Sequence, residues 1–100
     1  MAQPTTKQKE KTAIKIKVPD NYKVVVYNDD VTPMTFVVGL LMVVFKHSEQ
    51  TANDVMIKIH TENSAVAGIY NYEVAEQKAI DATHAARSSN YPLQVKIEVA

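Results

Sequence analysis

One hundred residues, 46% of them hydrophobic with only two Gly and four Pro, suffice for one domain with a modest core and are too few for two. No cysteine is present, which excludes disulfides, thiolate nucleophiles, iron–sulfur ligation and cysteine-based zinc sites. The net charge is zero but divided: residues 1–20 carry five Lys against Glu10 and Asp20, while residues 21–100 carry six basic and nine acidic groups, a folded part too acidic to favour nucleic acid as main partner.

Residues 1–19 read as a flexible extension, in which Ile14, Ile16 and Val18 alternate with Lys15 and Lys17 and allow a short edge strand before Pro19. Residues 20–100 read as the core domain. Tyr22 to Asn28 predicts a first strand with apolar groups on both faces, hence a central one. Thr32 is suited to cap a helix with Pro33 at its first position, and this helix is expected to run to about His47. Its Val-rich composition has poor intrinsic propensity, so packing must stabilise it.

Ser48 predicts the cap of a second helix over 49–62, with Ala52, Val55, Met56, Ile59 and His60 along one face. Asn63 suits a left-handed break, and 65–70 predicts a second strand. Asn71 predicts the cap of a third helix over 72–88, whose Ala75, Ala79, Ala82 and Ala86 allow close approach to a sheet. Pro92 leads into a last strand, with Leu93, Val95, Ile97 and Val99 on its dry face. The order β-α-α-β-α-β gives an α+β fold: a three-stranded antiparallel sheet with three helices packed on one face.

Asn28, Asp29, Asp30 and His60 are the polar groups worth attention. The first three stand at the exit of the first strand, and a second helix folded beside that strand brings His60 to them. A primary ammonium needs up to three acceptors, which an Asn oxygen, an Asp carboxylate and a neutral His nitrogen supply. The competing reading is an Asx-bonded turn with a core-edge histidine satisfied by a carbonyl. One His beside two adjacent carboxylates lacks a metal-ligand spacing, and His47 and His84 fall on other elements. A catalytic reading lacks a nucleophile, a glycine cradle or a phosphate loop. The expectation is therefore no enzyme, no cofactor and no metal. The N-terminus has no apolar signal region, and the longest apolar run, Phe36 to Phe45, is too short for a membrane span. A soluble cytoplasmic protein is expected, with nothing demanding more than a monomer.

Three blocks carry a resemblance. Tyr22-Lys23-Val24-Val25-Val26-Tyr27-Asn28-Asp29-Asp30 is followed by Thr32-Pro33-Met34 and Phe36-Val37. Met56-Ile57-Lys58-Ile59-His60 and Glu73-Val74-Ala75-Glu76-Gln77-Lys78-Ala79 follow in order. Together, over roughly residues 20–100, they resemble the bacterial ClpS family, adaptors that hand N-degron substrates to the ClpA or related ClpC unfoldase of the Clp protease. The resemblance implies that Asn28, Asp29 and His60 bind the free α-amino group of a substrate, with Asp30 strengthening the negative field. It implies that Thr32, Met34, Val37, Met56, Ile59 and Leu93 wall a pocket for Leu, Phe, Tyr or Trp, with Met34 excluding β-branched residues. Glu73 and Lys78 would face the unfoldase, and residues 1–17 would be the arm that engages it. The alternative is a structural or ribosome-associated interaction module of similar shape, which needs no Asn28-Asp29-His60 cluster.

Overall fold

A computed structural model describes residues 21–100; the expected extension, its edge strand and Pro19 lie outside the described residues. Six elements follow in the expected order: β1 (Tyr22–Tyr27), α1 (Met34–Val43), α2 (Glu49–Glu62), β2 (Ser64–Tyr70), α3 (Tyr72–Ser88) and β3 (Gln94–Val99). The sheet order is β2-β1-β3, with both neighbours antiparallel to β1. The strand with two apolar faces is thus the central one. Its Val24 and Val26 are fully buried against the helices, and Val25 is buried on the opposite face.

The core joins Val24 and Val26 to Leu40, Leu41, Phe45, Ile59 and Leu93, with Ala75, Ala82 and Ala86 of α3 fully buried beside them. An alanine stripe leaves only methyl groups between the α3 backbone and the sheet. Local chemistry sets α2 and α3: the Ser48 hydroxyl accepts from the Thr51 N–H, and the Asn71 amide oxygen from the Val74 N–H. Asn63 ends α2 at φ 72°, in the left-handed region. No helix among the described residues is long and apolar enough to cross a membrane.

Three expectations need correction. α1 begins one residue late, with Pro33 at its cap, because the Thr32 hydroxyl donates to Asp29 instead. It also stops at Val43 rather than near His47: Lys46 turns to φ 62°, and the His47 N–H closes back on the Leu41 carbonyl. The dry face of β3 ends at Ile97, since Val99 is 58% exposed at the sheet's end. β3 is an edge strand, and the helices do not reach its last residue.

The β1–β2 register slips between Val24 and Val25, so that Val24 faces Gly68 while Val25 faces Val66. Ala67 is the extra residue of a β-bulge and has no partner in the ladder. Its buried carbonyl accepts instead from Nε2 of His47. The histidine satisfied by a carbonyl is therefore His47, on the α1–α2 connection.

Candidate functional site

β1 ends at Tyr27, and the next backbone N–H, that of Asn28, donates to the Asn63 carbonyl at 2.8 Å. That bond ties the strand exit to the residue ending α2, one turn beyond His60. The carboxyl end of α2 thus stands beside the Asn28-Asp29-Asp30 run. His60 is exposed at the margin of the packed stripe, whose buried members are Ala52 and Ile59. Asn28 and Asp30 are exposed as well, and Asp29 is half-buried.

Asp29 organises the loop. Its Oδ1 accepts from the Val31 and Thr32 N–H groups, and its Oδ2 from the Thr32 hydroxyl, each at 2.8 Å. The Asx turn expected as the competing reading is therefore present. A carboxylate offers about four acceptor positions, so three bonds leave one on Oδ2 for a further donor. Partial burial pushes the Asp29 carboxyl upward. The Thr32 N–H and hydroxyl, the Val31 N–H and the charge of Arg87 outweigh that effect and hold it below the usual carboxylate value. The group is thus an anion at neutral pH.

Arg87 was not singled out from the sequence. Its Nη1 donates to the carbonyls of Tyr91 and Leu93, at 2.8 and 2.9 Å, so one guanidinium fixes the turn carrying Leu93 and biases Asp29 toward its charged form. The available signal was a cation in the last turn of α3, where it also suits the helix dipole.

The expected wall residues divide into three groups. Met34 and Met56 line one cavity of about 290 Å³ between α1 and α2, together with Thr35, Val38, Glu49 and Asn53. Val37, Ile59 and Leu93 are buried in the core. Thr32 belongs to the Asp29 loop through two hydrogen bonds. Glu73 lies exposed in the first turn of α3. Lys78 is committed within the fold: its Nζ donates to the Val44 carbonyl at 2.7 Å and lies 5.8 Å from the centre of the Tyr70 ring. Among the described residues no group of three or more His, Asp or Glu side chains is placed to hold a metal ion.

The arrangement offers acceptors for a cationic donor at one end of α1, beside a methionine-lined groove. Residues 17–96 match the family model described as ATP-dependent Clp protease adaptor protein ClpS. The chain is 44% identical over 80 residues to the ATP-dependent Clp protease adapter protein ClpS of Treponema denticola, covering 80% of this chain and 79% of that one. Its counterpart from Hydrogenovibrio crunogenus is 45% identical over 85 residues, covering 85% and 82%. Among solved structures, Agrobacterium tumefaciens ClpS2 bound to L-phenylalaninamide superposes with a TM-score of 0.79 at 38% identity, covering 83% of this chain and all of that one. A sequence match across the domain and a shared fold lead to one conclusion: this chain belongs to the ClpS family of Clp protease adaptors.

Proposed function

We propose that this protein is a non-enzymatic cytoplasmic adaptor that binds the first residue of N-degron substrates and delivers them to a Clp-family AAA+ unfoldase of the ClpA or ClpC type. Residues 20–100 are the binding domain, and residues 1–19 an extension that assists delivery. The free α-amino group is held by Asn28, Asp29 and His60, in the field of Asp30. The side chain, that of Leu, Phe, Tyr or Trp, enters between Met34 and Met56, above Val37, Ile59 and Leu93 and beside Thr32. Glu73 and Lys78, both on α3, face the unfoldase.

One observation carries the reading. The charged Asp29 keeps an acceptor position open after organising its own loop, beside the end of α2 that bears His60. The ligand of the Agrobacterium relative, L-phenylalaninamide, has the required features: a free amine, a large apolar side chain and an amide in place of the following peptide bond. Burying such a side chain is worth about 1.5–3 kcal/mol, and the amine supplies specificity.

Short peptides test this. A Phe- or Leu-initiated peptide with a free amine should bind. Its N-acetylated twin and a Val-initiated version should bind much more weakly. Equal affinity for all three would remove the adaptor role.

A further inference from the structure

On the face of the sheet opposite the helices, Lys23, Val25 and Tyr27 of β1 stand in register with Ile69, Val66 and Ser64 of β2 and with Glu98, Lys96 and Gln94 of β3. No helix or strand among the described residues covers it. Ile69 and Val66 remain 55% and 39% exposed on this face. A cavity of about 230 Å³ opens there, and Lys58 of α2 reaches its rim.

The charge of this face is opposite to that of the domain. Lys23, Lys58 and Lys96 are three of the six cations in residues 21–100, whereas Glu98 is one of nine anions. The Tyr27 hydroxyl donates to that Glu98 carboxylate, and the Lys96 ammonium lies 5.5 Å from the Tyr27 ring centre. The rest of the domain therefore holds three cations against eight anions.

We propose that this face docks an acidic segment of a partner protein, one that alternates carboxylates with aliphatic side chains. Lysines at the rim meet the carboxylates, while Val66 and Ile69 take the apolar groups. The chain's own first nineteen residues do not fit, because their five Lys against Glu10 repeat the sign of the surface. The same face of a second copy is repelled for the same reason. Two lysines beside Glu98 around the cavity, with Lys96 on the same face outside its lining, are too few for a nucleic-acid backbone on a domain of negative net charge.

The probe is a fluorescent, N-acetylated peptide of alternating Glu and Leu, titrated into the full-length protein; acetylation closes the amine site, so this surface is tested separately from the proposed N-degron site. Binding is expected, with amide NMR shifts gathered on Lys23, Tyr27, Val66 and Lys96. It should weaken with salt and fall roughly tenfold in a Lys58→Glu, Lys96→Glu variant. Both lysines are exposed, so that variant should keep its fold and its affinity for a Phe-initiated peptide. Several results would overturn the proposal: no binding, shifts centred elsewhere, equal binding of a Lys-Leu peptide, or tighter binding of an oligothymidylate. Salt dependence of the unmutated protein decides the matter should the variant misfold.

Discussion

The two ends of α1 are fixed by opposite charges, and only one end is left open. Ahead of the amino end, the Asp29 carboxylate accepts three hydrogen bonds from its own loop and keeps a position on Oδ2. At the carboxyl end, the Lys78 ammonium donates to Val44, beneath which Tyr70 folds its ring over Gly68. Each sign suits the helix dipole at its end. The carboxyl end is thus closed upon itself, whereas the amino end keeps one acceptor position of Asp29 beside a methionine groove.

Breaking the amino end should give the largest effect. Asp29→Ala should cost a free-amine Phe peptide about 2–3 kcal/mol of binding, the worth of a hydrogen bond to a charged group. Calorimetric titration measures it; near-normal affinity would make Asp29 purely a turn residue. Gly68→Ala attacks the other end, because a new Cβ collides with the Tyr70 phenol. Displacing that ring disturbs Lys78 in turn, and a loss of about 2 kcal/mol in urea unfolding is expected, with peptide affinity nearly unchanged. Lys78→Met, which removes the bond to Val44 and the ammonium over the Tyr70 ring, should cost about 1 kcal/mol of stability. Should either variant abolish peptide binding without unfolding, the two ends are not independent.

Smaller effects sharpen the contrast. The Asp29 carboxyl titrates below its ordinary value of 3.8, so its contribution to stability is present in full above that pH and lost as pH falls through the lower folded value. Asp29→Asn should therefore flatten the pH dependence of thermal unfolding below about pH 4, a difference two melting series would show. Met34→Ala should change affinity least for Phe peptides while admitting Val or Ile by several-fold. Unchanged exclusion in a competition assay would mean that Met34 is not the gate.

What could be foreseen from the sequence was mostly local. Ser48 and Asn71 cap their helices through bonds three residues long, and Asn63 breaks α2 by its own backbone preference, so each announces itself in a short window. The limits of α1 escaped because Thr32 is diverted to Asp29, and because nothing about Lys46 signals a positive φ. The Ala67 bulge is a fact of register between strands, invisible in either strand alone. At the proposed site, Asn28, Asp29 and His60 stood out by residue type and position. Arg87 did not, and Lys78 was marked only as facing a partner; their bonds to Leu93 and Val44 are defined by the fold rather than by helical spacing.

In the proposed function, the Asp29 carboxylate both shapes its loop and receives a chain terminus. A crystal structure of this protein with L-phenylalaninamide decides between these roles. The ammonium is expected within about 2.7–3.2 Å of Asp29 Oδ2 and of a His60 ring nitrogen, with the Val31 and Thr32 bonds intact and the benzyl ring between Met34 and Met56. An ammonium directed to solvent, or a His60 ring turned away from it, would leave Asp29 a turn residue only.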